Sequence, residues 1–183
     1  LCVMQPFLPP RCIALQRGVD DMRDENTESL FTKAVEEYSD MVTGLCLLRL
    51  GNRQDAEDCY QNVFLKLLKN KEMLQAESVH LKAWLIRVAI NECKNHYRFR
   101  CRHKTESLES VTLFYEDEHD RRLMAEVMEL PKLYREAIYL HYYIGYSVAE
   151  IAALLKVPQN TIKSRLKRGR DMLGKIIAEE EAI

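Results

Sequence analysis

Apolar residues recur at three- and four-residue intervals along most of this chain, while the two-residue alternation of strands is hard to find. Over 27–50, the series Leu30, Phe31, Ala34, Val35, Tyr38, Met41, Val42, Leu45 and Leu48 predicts one long amphipathic helix. Asn26 suits its start as a cap, and Gly51-Asn52 marks its end. The stretch RQDAEDCYQNVFLKLLKN predicts a second helix burying Ala56, Cys59, Val63, Phe64 and Leu67. Asp55, Glu57, Asp58, Gln61 and Asn62 fall outside that stripe. A polar loop is expected over 69–79, then a third helix in HLKAWLIRVAINECKNHYRFR with Leu81, Trp84, Leu85, Val88 and Ala89 as its apolar face. Three such stripes can share one small core.

A second helical unit is expected from near Leu123, interrupted by Pro131, with Ala137, Ile138 and Leu140 as core positions. Ser147-Val-Ala-Glu150 has the form of a capping box, in which a hydroxyl accepts from an exposed amide and the glutamate reaches back. The helix it starts would bury Val148, Ile151, Ala152 and Leu155. Lys156-Val157 makes a short turn, and Pro158 suits the opening of the next helix. There Ile162, Leu166 and Leu173 point one way, and Lys163, Lys167 and Arg170 another, with Ser164 and Arg168 beside them. This is the pattern of a helix-turn-helix. The fold class is therefore all-α: two small helical domains joined by a flexible acidic linker, the second containing a helix-turn-helix.

Composition supports a folded helical protein, with 47% apolar and 30% charged residues but only six glycines and five prolines in 183 residues. The net charge of −1 conceals strong segregation. Residues 94–104 carry Lys94, Arg98, Arg100, Arg102 and Lys104 without an acid, and 105–129 are dominated by Glu106, Glu109, Glu116, Asp117, Glu118, Asp120, Glu126 and Glu129. Cations then crowd the last helix, and Glu179, Glu180 and Glu181 close the chain. The first half of the acidic block lacks an apolar stripe and reads as the linker. No apolar run reaches the roughly eighteen residues of a membrane span. The opening segment, broken by Pro6, Pro9 and Pro10, is a poor signal peptide, and Met22 resembles a natural start, so 1–21 reads as an extension. The six cysteines lack framework spacing, which points to reduced thiols and a cytoplasmic protein.

The chemistry expected is binding. The cationic face of the last helix can bond to phosphates and guanine edges, and Gln159, Asn160 and Ser164 add neutral contacts. In KNHYRFRCRHK, cations alternate with Tyr97 and Phe99, a mixture suited to unpaired bases, or alternatively to a helix end whose rings tuck into the core. Cys93, His96, Cys101 and His103 match no common zinc spacing. His80, His119 and His141 stand apart from any nucleophile or paired acid, and no Gly-rich phosphate loop occurs. The expectation is no catalytic residue, metal, cofactor, small-molecule substrate or membrane partner.

DAEDCYQNVFLKL, LKAWLIRVAINECKNHYR and LPKLYREAIYLHYYIGYSVAEIAALLKVPQNTIKSRLKRGRDML occur in that order. Together they resemble the extracytoplasmic-function sigma factors, two-domain specificity subunits of bacterial RNA polymerase, over about 30–177. The resemblance implies domains at 22–103 (region 2), 104–122 (linker), 123–178 (region 4) and 179–183 (tail). It implies that Asp55, Glu57, Asp58, Gln61 and Asn62 bind core polymerase. It implies that Asn91, Lys94, Asn95, Arg98 and Arg100 act in minus-ten recognition and melting, with Asn91 at the base-pocket position and 69–79 as the adjoining loop. Gln159, Asn160, Lys163, Ser164, Lys167, Arg168 and Arg170 would read the minus-thirty-five element. Partners implied are core RNA polymerase, promoter DNA and an anti-sigma factor; in the family the linker threads toward the RNA exit path. Two departures stand out: Lys156 occupies the usual turn glycine, and Asn160 the glycine before T-I-K-S-R. The alternative is a helix-turn-helix regulator that binds DNA without being a polymerase subunit, for which DAEDCYQNVF and AINECKNHYR would have no use.

Overall fold

The computed structural model describes residues 25–103 and 118–180, with side chains over 26–98 and 124–178. The extension at 1–21, the linker over 104–117 and residues 181–183 lie outside the described residues. Every regular element among the described residues is helical.

The first unit holds α1 (Glu25–Leu50), α2 (Arg53–Leu68), α3 (Lys71–Leu74) and α4 (Ser78–His103). Asn26 lies inside α1 rather than capping it, in the turn that buries Thr27. Gly51, at φ 68°, ends α1 in the left-handed conformation open to glycine, its N–H donating to Leu47 O at 2.8 Å. Buried Asn52 caps α2 by accepting from the Asp55 amide at 3.0 Å. α2 buries the five residues its stripe predicts. The expected polar loop is shorter than 69–79, because Asn70 caps the single turn of α3 and Leu74 anchors it in the core. α4 buries Leu81, Leu85, Ile86, Ala89, Ile90 and Cys93, leaving Trp84 and Val88 half-buried. That face differs from the predicted one because α4 packs on both α1 and α2, which draws Ile86 and Ile90 inward.

The free thiols Cys46, Cys59 and Cys93 enter this core from α1, α2 and α4. Hydrogen bonds from Cys46 and Cys59, aided by the Arg49 guanidinium, hold Cys93 below the usual thiol range against the opposing effect of burial. The two donors are pushed up in turn.

The second unit holds α5 (Glu118–Glu129), α6 (Lys132–Ile138), a π-helical turn (Tyr139–Tyr143), α7 (Val148–Leu155) and α8 (Gln159–Glu180). α5 begins at Glu118 rather than near Leu123, so the last linker residues are helical. Pro131 separates α5 from α6, whose first bonds are accepted by Pro131 O. The π-turn was not legible in the apolar spacing; Ile144 N–H donates to Tyr139 O at 3.1 Å, widening the helix before Gly145 (φ 85°) turns the chain. The capping box of α7 is formed: Ser147 Oγ accepts from the Glu150 amide at 3.2 Å, and Glu150 accepts from the Ser147 amide at 2.8 Å. The same bonds hold the Glu150 carboxyl below its ordinary range. Lys156 follows at φ 57°, a left-handed residue carrying a Cβ.

α8 buries Ile162 and Leu166 in the cluster that also holds Ile138, Leu140 and Ile151, whereas Leu173 is only half-buried. At buried Gly169, an added Cβ would lie 2.9 Å from Ile138 Cγ1 and 3.4 Å from Tyr134 Cβ. α8 therefore lies on α6 at a separation only glycine permits.

Gly169→Val is expected to destabilise the second unit by about 1–3 kcal/mol through overpacking, read as a lower urea midpoint. Lys156→Gly is expected to stabilise it by about 1 kcal/mol, since the left-handed conformation costs glycine no steric strain. The same denaturation measurement checks both.

Candidate nucleic-acid interface

The sequence of α8 decides which of its sides meets water. Ile162 and Leu166 are four residues apart and share the buried side with Gly169. Gln159, Asn160, Lys163, Ser164, Lys167, Arg168 and Arg170 are all exposed. From 159 to 170 the helix advances about 16 Å, enough to follow part of a major groove. Ser164 Oγ donates to Asn160 O at 2.9 Å, which folds the hydroxyl back along the helix while its lone pairs still face out. Arg170 Nη1 donates to Tyr142 OH at 3.2 Å, so the π-turn braces that guanidinium. Among the described residues no ion pair neutralises Lys163, Lys167 or Arg168.

α4 presents a second exposed row. Asn91, Lys94, Asn95 and Arg98 follow one another at helical spacing and all face water. The Lys94 ammonium is held below its ordinary range by partial burial, then by Arg49, Lys156 and Arg98. Tyr97 is 56% exposed, with Lys132 Nζ 4.7 Å from its ring centroid, so this ring is not tucked into the core. The α4 backbone continues through Arg100, but the side chains of Phe99 and Arg100 lie outside the described residues.

The acidic row of α2 is less uniform than its sequence implies. Asp58 and Asn62 are exposed, while Asp55, Glu57 and Gln61 are half-buried. Glu57 accepts from Arg53 Nε at 2.8 Å, and Asp55 Oδ1 lies 3.6 Å from His96 Nε2 on α4. These acids sit in the first turns of α2, where the helix dipole favours negative charge. Lys66 and Glu92 pair across α2 and α4.

The sequence did not indicate the residues that join the two units. Arg49 of α1 pairs with Glu136 of α6, both buried. Tyr139 OH donates to Met41 O at 3.3 Å, and Lys82 Nζ to Ile144 O at 3.0 Å. A cavity of about 460 Å³ opens beside them, lined by Tyr38, Val79, Lys82, Tyr139 and Tyr143 with Glu37 and Asp40 at its acidic side. No local pattern could reveal these pairings, because the partners lie in separate domains.

Comparison with known proteins identifies both units. The family profile "Sigma-70 region 2" matches residues 34–103, and "Sigma-70, region 4" matches 120–173. The chain is 28% identical to the ECF RNA polymerase sigma factor SigW of Bacillus subtilis, over 81% of this chain and 89% of that one. It is 30% identical to the ECF RNA polymerase sigma factor EcfG of Rhodopseudomonas palustris, over 69% of this chain and 74% of that one. Among solved structures, the sigma factor RpoE of Bartonella quintana, in complex with the anti-sigma factor NepR, superposes with a TM-score of 0.65. That likeness, at 24% identity over 81% of this chain and 96% of RpoE, concerns the fold. Helical units in this order, matched to both regions and to relatives along most of their length, make the chain a member of the extracytoplasmic-function RNA polymerase sigma factors, which act with RNA polymerase to initiate transcription.

Proposed function

We propose that the two exposed rows read the two promoter elements while α2 holds the chain on core polymerase. Lys163, Lys167, Arg168 and Arg170 grip the phosphates of the minus-thirty-five element, and Gln159, Asn160 and Ser164 meet base edges. The observation that carries this reading is the uninterrupted exposure of these seven positions, opposite a buried Ile162–Leu166–Gly169 side. On α4, Asn91 receives a base flipped from the minus-ten element, and Lys94, Asn95 and Arg98 follow the displaced strand. Extrusion of a base costs a few kcal/mol, which polar contacts and stacking must recover. Exposed Tyr97 supplies a stacking face beside that row. Asp55, Glu57, Asp58, Gln61 and Asn62 form the polymerase contact, with Asp58 and Asn62 the most accessible. The acidic linker joins two weak modules into one tight binder by raising effective concentration.

An anti-sigma factor is a further proposed partner, supported by the solved RpoE–NepR complex and by CnrH bound to the cytosolic domain of CnrY. Among the described residues no helix is long and apolar enough to cross a membrane, and the chain's proposed place is the cytoplasm with the polymerase.

Run-off transcription with core polymerase and a randomised promoter library is expected to select two spaced elements; failure to open any start site would sink the reading. In holoenzyme binding, Lys167→Ala is expected to make the slope of log affinity against log salt less negative by about 0.9, one phosphate contact. An unchanged slope would remove Lys167 from the interface. Asn91→Ala is expected to slow open-complex formation about tenfold, in line with the ~1–3 kcal/mol of a good base contact, and a pre-melted template should restore the rate. Equal loss on both templates would assign Asn91 to folding instead.

A further inference from the structure

We infer that Cys93 and Cys46 form a thiol-oxidation site in the core of region 2, where a small hydroperoxide joins them in a reversible disulfide that ties α4 to α1. Three free thiols meet there from three helices: Cys46 on α1, Cys59 on α2 and Cys93 on α4, which are 0%, 1% and 1% exposed. A buried cysteine in apolar surroundings is inert. This cluster differs, because Cys46 and Cys59 both donate to the Cys93 sulfur and the buried Arg49 guanidinium acts on the same atom. Two donors and a cation favour the thiolate, which is the nucleophilic form.

The neighbouring charges choose between the two partners. Cys46 feels the Arg49 cation, which favours loss of its proton, whereas Cys59 feels Glu92 and Asp55, which hold its proton on. The second thiol must give up a proton to close the bond. Cys46 therefore closes it, and Cys59 remains a thiol.

The chemistry needs one hydrogen peroxide. The Cys93 thiolate attacks one of its oxygens: an S–O bond forms, the O–O bond breaks, and hydroxide leaves. Cys93 is then a sulfenic acid. The hydroxide takes the Cys46 proton and becomes water. Cys46 attacks the sulfenic sulfur, so that the S–S bond forms and the S–O bond breaks. The second hydroxide recovers the proton that Cys93 released on ionising and leaves as water. A dithiol reverses the bond by exchange. Burial selects the oxidant: hydrogen peroxide, little larger than water, enters on local opening, and a disulfide the size of oxidised glutathione does not.

A disulfide holds its sulfurs about 2.05 Å apart, closer than hydrogen-bonded atoms lie. Closing it draws α4 toward α1, and a close-packed core transmits that strain along the helix. Asn91 and Lys94, exposed on either side of Cys93 in the chain, move with it. The effect on strand opening rests on the proposed role of α4; the bond itself does not.

The test uses the full chain. After hydrogen peroxide under native conditions, tryptic mapping by mass spectrometry should find the Cys46 and Cys93 peptides joined. Dithiothreitol should part them, and oxidised glutathione should leave them separate. Cys59→Ala should keep the link. Oxidised and freed of peroxide before core polymerase is added, the chain should form open complexes about tenfold more slowly, within the loss that an ångström of misplacement brings, and dithiothreitol should restore the rate. Separate Cys46 and Cys93 peptides, a link that forms only in urea, or equal oxidation by glutathione disulfide overturns the site. A linked chain that opens promoters at the reduced rate overturns the restraint on α4. Mapping of the parent needs no core substitution, so it decides the bond even where Cys59→Ala fails to fold. Failure of the two-element reading shows separately, as absence of run-off transcripts from the reduced parent.

Discussion

The close approach of α8 to α6 at Gly169 is the constraint on which the DNA-facing side of the molecule depends. With no Cβ to meet Ile138, α8 settles onto α6 and buries Ile162 and Leu166. Rotation of a helix about its axis is then no longer free: with one side committed to the core, the residues between must face outward. Lys163, Lys167 and Arg168 are aimed by this packing, and no bond of their own is needed to direct them. The capping box at Ser147 and the left-handed Lys156 set where α7 ends and α8 begins, which fixes the register of that cationic row.

Electrostatics divides the labour. A chain near neutrality overall can still bind a polyanion if its cations are gathered on helical faces and its acids elsewhere. In α2 the acids collect at a helix amino terminus, where they are stabilised, and are tied to α4 through His96 and to Arg53 within the helix. In α8 few acids interrupt the row. Lys156 combines both themes. It takes a backbone conformation better suited to glycine and adds a cation to the mouth of the turn, whose charge helps to hold the Lys94 ammonium of the other domain below its ordinary range.

The buried apolar side chains of both units form one cluster, and across the seam between the domains an ion pair, two bonds to backbone carbonyls and a cation over a ring add polar contacts to it. Arg49 touches both worlds. Its guanidinium, pulled below its ordinary range by burial, acts on the Cys46–Cys93 thiols on one side and meets Glu136 on the other. The region 2 core and the domain interface are therefore electrostatically linked through one side chain.

Local apolar and polar spacing determined the helical class, the two-unit division, the five buried residues of α2 and the capping box of α7, because each depends on neighbours within a few turns. It determined the exposed face of α8 for the same reason. The buried stripe of α4 was legible only in part, since a helix wedged between two others buries a broader arc than its own pattern declares; Ile86 and Ile90 show this. The π-turn at Tyr139, the need for glycine at 169 and the pairing of Arg49 with Glu136 were decided by tertiary structure. Each arises where segments distant in sequence meet, and there the cost of a Cβ or of an unpaired buried charge is set by a partner that local spacing cannot name.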